Sequence, residues 1–157
     1  MKKYSVGVIG ATGMVGQRFL LLLANHPWFE VKCLAASASS AGKKYRDAIK
    51  RWHMSAPLPE KFADTVVMDA SADKEKIASS VDFCFCAVNM AKNEIRELEY
   101  AYARLECPII SNNSAHRFTD DVPMIIPEVN PEHSEVIAAQ KKRLGTKRGF
   151  IAVKSNC

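Results

Sequence analysis

Three stretches of the sequence carry residues whose types and spacing suit chemistry. The first is "GATGMVG", which places Gly10, Gly13 and Gly16 between an apolar run and an amphipathic segment. In a strand–turn–helix setting these glycines have distinct jobs. Gly10 permits a tight turn, Gly13 lets backbone approach a pyrophosphate, and Gly16 lets helix and strand pack closely. The free N–H groups of the helix start, around Thr12, Gly13, Met14 and Val15, then face the phosphates. The spacing is GxxGxxG, a variant of the commoner GxGxxG. The second stretch is "AASASSAGKK", about 20 residues further on, where an NAD site wants a carboxylate for the ribose hydroxyls. It offers Ser37, Ser39 and Ser40 with Lys43 behind them and no acid. That set suits a 2′-phosphate, hence NADP over NAD. The third is "GFIAVKSNC", an apolar strand that runs into Lys154, Ser155, Asn156 and Cys157. Of the five cysteines, Cys33, Cys84, Cys86 and Cys107 lie in apolar runs and read as buried. Cys157 alone has polar neighbours at a strand's end. There is no CxxC and no Cys/His spacing for zinc, so no metal is expected.

The elements that must position these groups alternate. "YSVGVIG" reads as a strand and "GMVGQRFLLLLANHP" as a helix, with Val15, Phe19, Leu22 and Leu23 on one apolar face. "FEVKCLAAS" is a second strand, "KKYRDAIKRW" a short helix, "HMSAPLPEKF" a loop, "TVVMDA" a short strand and "ADKEKIASS" a weak helix. "VDFCFCAV" is apolar throughout, as in a parallel sheet covered on both faces. "AKNEIRELEYAYARLE" is a helix that buries Ile95, Leu98, Tyr102 and Leu105, and "CPIIS" is a strand. "NNSAHRFTDDVPMIIPEVN" has no helical period and two prolines, which marks a long functional loop with a short strand near 124–126. "NPEHSEVIAAQKKRLG" is a helix with Asn130 as N-cap, Pro131 at its first position and Gly145 after its end. Strands alternating with helices predict an α/β fold with a doubly wound, mostly parallel, Rossmann-like sheet.

Composition bounds the function. The chain has 157 residues, nearly half of them apolar and a quarter charged, with a formal charge of +5. This is enough for one domain with a real core. No run approaches the roughly 18 apolar residues of a membrane span, and the basic start "MKKYSVGVIG" reads as a strand rather than a signal peptide. A cytoplasmic location and no membrane partner are expected. The basic clusters in 42–51 and 140–148 read as solvated faces or as a field that draws phosphorylated small ligands. No aromatic residues are interleaved with them, which argues against nucleic acid.

Four motifs in order, "GATGMVGQRF", "AASASSAGKKY", "SNNSAHRFTDDVPMIIPEVN" and "GFIAVKSNC", resemble aspartate-β-semialdehyde dehydrogenases, above all their archaeal and fungal branch. The resemblance covers essentially the whole chain. It implies an NADP-dependent enzyme that reduces L-aspartyl 4-phosphate to L-aspartate 4-semialdehyde, and runs in reverse with inorganic phosphate, in the biosynthesis of lysine, threonine, methionine and isoleucine. It implies that Cys157 is the nucleophile, with Asn156 beside it, and that Arg117 binds the substrate phosphate with Asn112 and Ser114 nearby. Glu128 and Asn130 read as structural, and neither His116 nor His133 as a base. It also implies that residues 1–157 are a dinucleotide-binding domain that ends at the nucleophile. A second substrate and dimerisation domain would complete a homodimer or homotetramer, and the 157-residue piece alone would be inactive. Two departures matter. The family's "SxRSAG" arginine is Ser39 here, which weakens the hold on a 2′-phosphate, and "KSNC" replaces the common "NPNC". The alternatives are a malonyl-CoA or succinyl-CoA reductase of the same superfamily and a non-catalytic dinucleotide-binding module.

Overall fold

The computed structural model describes residues 2–156. Its centre is a six-stranded, all-parallel sheet in the order β3-β2-β1-β4-β5-β6. The strands are β1 (Tyr4–Ile9), β2 (Phe29–Ala36), β3 (Met68–Asp69), β4 (Phe83–Cys86), β5 (Ile109–Ser111) and β6 (Ile151–Val153). The helices are α1 (Met14–Leu23), α2 (Tyr45–Ala48), α3 (Glu60–Ala63), α4 (Lys74–Ser80), α5 (Lys92–Arg104) and α6 (Ile137–Leu144), the last preceded by a 3-10 turn over Pro131–Val136. This is the doubly wound order, with its reversal between β1 and β4. Among the described residues no helix is long and apolar enough to cross a membrane.

Alternation along the strands builds one core on each face. Val6, Val8, Leu34 and Ala36 pack with Leu20, Leu23, Tyr45 and Phe62 on one side. Ile9, Cys33, Cys84, Cys86, Ile109 and Ile151 pack with Ile77, Leu98 and Tyr102 on the other. Cys33, Cys84, Cys86 and Cys107 are buried and free. A side chain at Gly7 would lie 2.7 Å from the Cys84 sulfur and 3.0 Å from that of Cys33, so the glycine makes room for them. Burial pushes the Cys33 thiol up to about 11 and holds Cys86 well above its ordinary value. Cys33 and Cys86 are therefore packing groups with little thiolate character.

Several elements differ from the sequence expectation. Helix α1 buries Gly16, Gln17, Leu20 and Leu23, whereas Val15 and Leu22 are exposed. The buried face is turned because Gly16 must lie against the β1 turn, and the uniform "FLLLL" run gives periodicity little to discriminate. Helix α2 keeps only four residues of "KKYRDAIKRW", and β3 only two of "TVVMDA". The loop "HMSAPLPEKF" ends inside helix α3. In α5 the buried set is Ile95, Leu98, Glu99, Tyr102 and Ala103, and Leu105 is the C-cap. The strand near 124–126 is a single parallel bridge from Met124 to Val153. Asn130 precedes the 3-10 turn without capping it through its side chain. Its amide instead accepts from Ile126 N at 2.8 Å and donates to Met124 O at 3.0 Å, bracing the loop. Glu128 is exposed and does not pack that loop.

Candidate dinucleotide site and the adjoining strand mouths

The glycine turn is built from below. Gly10 has φ +84°, and a Cβ there would sit 2.2 Å from the Ala87 carbonyl oxygen. A Cβ on Gly16 would sit 2.1 Å from the Gly10 carbonyl oxygen. Both positions are glycine because the fold leaves no room. Gly13 differs: a Cβ there meets nothing nearer than Gly10 O at 3.6 Å, and its backbone is extended, φ −77° and ψ 167°. Nothing in the protein requires glycine at this point.

Gly13 is the N-cap of α1, with no side-chain cap over the helix start. The first N–H groups of α1 therefore lack intrahelical partners and aim outward. Two buried side chains that the sequence reading passed over hold this turn. The Tyr45 hydroxyl donates to Ala11 O at 2.7 Å. The Gln17 amide donates to Thr12 O at 3.1 Å and to Arg51 O at 2.8 Å, and accepts from His53 N at 2.7 Å. Only the burial of a polar residue in the first helical turn could have signalled Gln17.

The turn opens into a crevice of about 410 Å³ at the C-terminal ends of β1, β2, β3 and β4. This is the switch point of the strand order, where ligands of open α/β sheets sit. Gly10, Thr12, Gly13 and Ser37 line it, and Asp69, Ser71, Asn89 and Met90 complete the wall. Met14, Val15, Ser40 and Lys43 do not line it. Met14 and Val15 are the first residues of α1 and their side chains are exposed, so what they present at the helix start is backbone N–H groups. Ser37 and Lys43 are exposed and Ser40 half-buried on the loop that leaves β2, with Ser37 and Ser39 hydroxyls 3.0 Å apart. The loop is shaped by Ser40 N and Ala41 N on Ser37 O and by Gly42 N on Val67 O. A helix start, an uncovered glycine and a hydroxyl-rich rim fit a dinucleotide. Among the described residues no group of three or more His, Cys, Asp or Glu could hold a metal ion.

The second set lies at the mouths of β5 and β6 rather than in the crevice. Asn112 N donates to Cys86 O at 2.8 Å, which ties it to the end of β4. Arg117 reaches across the strand ends, Nε to Lys154 O at 3.3 Å and Nη2 to Asn112 O at 3.4 Å. Both bonds are long and go to carbonyls. Among the described residues no carboxylate pairs with this guanidinium, so it suits an anion. Ser114 and Asn156 are exposed beside this edge. Cys157 lies outside the described residues; it follows directly on the strand-end segment that Arg117 touches.

Residues 5–137 match the family model described as "Semialdehyde dehydrogenase, NAD binding domain". The chain belongs to that family. It is 41% identical over 155 residues to the aspartate-semialdehyde dehydrogenase of Aspergillus fumigatus, covering 99% of this chain and 41% of the relative. It is 42% identical over 155 residues to that of Archaeoglobus fulgidus, covering 99% and 43%. A crystal structure of aspartate semialdehyde dehydrogenase with NADP from Candida albicans superposes with a TM-score of 0.85 at 38% identity, over 99% of this chain and 43% of that one. This semialdehyde dehydrogenase domain thus spans about two fifths of the length of the relatives it matches.

Proposed function

We propose that this chain is the dinucleotide-binding part of an NADP-dependent aspartate-semialdehyde dehydrogenase. Gly13 carries the reading. It is a glycine that the fold does not need, at the head of an uncapped helix, facing the switch-point crevice. A pyrophosphate gives that missing side chain its reason. Relatives named for this activity, and a neighbour that holds NADP, support the substrate and cofactor.

In this reading the Cys157 thiolate attacks the carbonyl carbon of aspartyl phosphate, and collapse of the tetrahedral adduct expels phosphate to leave a thioester. Arg117, braced on Asn112 and Lys154 carbonyls, holds the phosphate before and after it leaves. Asn156 orients the acyl carbonyl. The α1 N-terminus, Gly13 and Ser37 would hold the phosphates of NADPH, which would supply the hydride that reduces the thioester. The resulting hemithioacetal releases the semialdehyde, and the thiolate returns. The acid/base group and the second domain come from the part of the protein outside this sequence.

The test uses the full-length protein. Gly13→Val should abolish NADPH binding in titration calorimetry and leave the melting temperature nearly unchanged. Phosphate-dependent oxidation of aspartate semialdehyde should be lost with it, while malonyl-CoA and succinyl-CoA should not be reduced by the wild type. Undiminished NADPH affinity in Gly13→Val would remove the glycine turn from the cofactor site.

A further inference from the structure

Beneath the segment that carries Asn112, Ser114 and Arg117 lies a closed polar cluster that the reading above does not use. Along 111–117 the side chains alternate between two environments. Ser111, Asn113, Ala115 and His116 are buried, whereas Asn112, Ser114 and Arg117 are half-buried or exposed. The buried polar ones, Ser111, Asn113 and His116, converge on one carboxyl group, that of Glu99 on α5, which is 1% exposed. Its Oε1 accepts from Ser111 Oγ at 2.5 Å and from Asn113 Nδ2 at 2.9 Å, and Ser111 Oγ also takes Asn113 N at 3.0 Å. Among the described residues its Oε2 has no hydrogen-bond partner, and neither has His116 Nε2, which lies 3.8 Å away on a ring that is wholly buried. Two buried polar atoms left unpaired would each be costly.

We propose that Glu99 is a neutral carboxylic acid whose Oε2 proton is donated to Nε2 of His116, and that this pair is a positioning device for the phosphate-binding segment. Three arrangements of protons place one hydrogen bond between Oε2 and Nε2. A carboxylate with an imidazolium puts two charges in a dry pocket. A carboxylate with a neutral Nε2–H ring leaves one net negative charge there. An acid with a neutral Nδ1–H ring buries no charge, and it alone assigns every atom without charge. Oε1 is then the carbonyl oxygen that accepts twice. Oε2–H serves Nε2, and His116 Nδ1–H donates to Thr119 Oγ1 at 3.1 Å. Rotation about the soft terminal torsions of the two side chains closes the 3.8 Å gap.

The surroundings agree. The groups around the pair are Arg96 and Tyr100 from α5, Asp121 from the long loop, Arg143 from α6 and Cys86 from β4, whose thiol faces the Glu99 carboxyl and takes Asn113 Nδ2 at 3.4 Å. Arg96 is turned to Ala115 O at 2.8 Å, and Arg143 is paired with Asp121 through Nε at 2.5 Å and Nη2 at 2.7 Å. Tyr100 meets the His116 ring edge-on at 4.5 Å. The cations are thus engaged elsewhere. Burial raises the Glu99 carboxyl above its ordinary value and lowers His116 to about 4. Both shifts are the directions that burial gives to uncharged groups.

The consequence is mechanical. One carboxyl group pins Ser111 and Asn113 through one oxygen and His116 through the other. The stretch between is thereby clasped at both ends, with Asn112, Ser114 and Arg117 turned outward. The consequence for catalysis rests on the phosphate reading of Arg117; the proton assignment does not.

The experiment is arranged to separate the two. In full-length protein, infrared difference spectra between wild type and Glu99→Gln should show loss of the carbonyl stretch of a protonated carboxyl at neutral pH. Nitrogen-15 NMR should find His116 neutral, as the Nδ1–H tautomer. A carboxylate band in its place, an imidazolium, or an Nε2–H tautomer would each overturn the assignment. Glu99→Gln retains an acceptor for Ser111 and Asn113 and an N–H for His116, so its KM for phosphate should stay near wild type. Glu99→Leu should raise that KM roughly tenfold, the factor expected when buried partners are orphaned, with a smaller change in kcat. Equal KM values in Glu99→Leu and wild type would overturn the positioning role. If instead Arg117→Ala leaves the phosphate dependence intact, the phosphate reading fails while the spectra still decide the proton.

Discussion

The turn at β1–α1 and the segment at 111–117 both present groups at the C-terminal edge of the sheet, but they are held in opposite ways. The turn is specified by what is missing. Gly10 and Gly16 each lie where a Cβ would come within 2.2 Å of a backbone oxygen. The 111–117 segment is specified by what is added, a buried acid on the preceding helix that takes hydrogen bonds from Ser111 and Asn113 and faces His116. Steric exclusion at the backbone is absolute and independent of solution conditions. A hydrogen-bonded clasp is softer and depends on pH.

The largest effects should therefore come from the turn. Gly16→Ala places its Cβ 2.1 Å from Gly10 O and 2.7 Å from Ala11 Cα, both backbone atoms that cannot swing away. We expect a loss of about 4 kcal/mol or more in stability, at the extreme of single substitutions. Gly10→Ala adds an unfavourable φ of +84° to a similar clash and should be as damaging. Gly13→Ala, with no neighbour under 3.6 Å, should change the unfolding free energy measured in urea by no more than about 0.5 kcal/mol. A uniform response of the three glycines would dissolve the distinction between fold-required and ligand-required positions.

This contrast also explains what the sequence could and could not reveal. "GATGMVG" was legible because each glycine acts through backbone geometry within a few residues, and the alternation of strands and helices sets the sheet order around it. Phe83–Cys86 and Lys92–Arg104 were legible because pattern and burial agree. Glu99 was not. In "NEIRELEYAYAR" it is one of three glutamates at ordinary helical spacing, and its burial depends on Ser111 and Asn113, 12 and 14 residues away, meeting it in space. The same holds for Gln17, which is fixed by Arg51 and His53 from 34 and 36 residues away. The turned face of α1 was hidden by a run of four leucines. Arg117 was named from the whole "SAHRF" motif, and its strand-end brace on Lys154 could not be seen in the sequence.

The clasp should show itself next, through pH. His116, lowered to about 4 from an ordinary 6.5, binds fewer protons folded than unfolded in that interval, so its contribution to stability is lost as pH falls through it. Glu99, raised above an ordinary 4.5, binds more protons folded than unfolded above that value, so its contribution falls as pH rises. Above about 4.5, over the range in which the proposal keeps Glu99 protonated, the two oppose each other in the wild type. Glu99→Gln leaves only the histidine. Its stability, measured against wild type by thermal or urea melts, should drop on acidification from pH 6.5 by up to about 1.4 kcal/mol per pH unit. Parallel profiles for the two proteins would mean that Glu99 does not hold a proton there.

Ser111→Ala removes one clasp bond without touching the charge state. Glu99 Oε1 keeps Asn113 Nδ2, but Asn113 N loses its acceptor. A loss of about 1–2 kcal/mol is expected, that of an orphaned buried donor. The cofactor affinity measured by calorimetry should not move, because the crevice lies at other strand ends.

The smallest effect should be at Lys43, where side-chain electrostatics act alone at the rim of the crevice. Lys43 is exposed and does not line the cavity, and the Ser37 and Ser39 hydroxyls are engaged with each other at 3.0 Å. A charge in that setting is screened by water and salt, so its interaction with a 2′-phosphate is a fraction of the value of a buried pair. Lys43→Glu in full-length protein should narrow the preference for NADPH over NADH by roughly threefold to tenfold, the equivalent of about 1 kcal/mol. The change should shrink as ionic strength is raised. The preference should also survive in part, because the loop still lacks a carboxylate at the end of β2 where a ribose diol would want one. A full reversal to NADH, insensitive to salt, would mean that Lys43 closes directly onto the phosphate when the dinucleotide binds. The rim of the crevice would then be specified by an added group, as the 111–117 segment is, rather than by the space its backbone leaves.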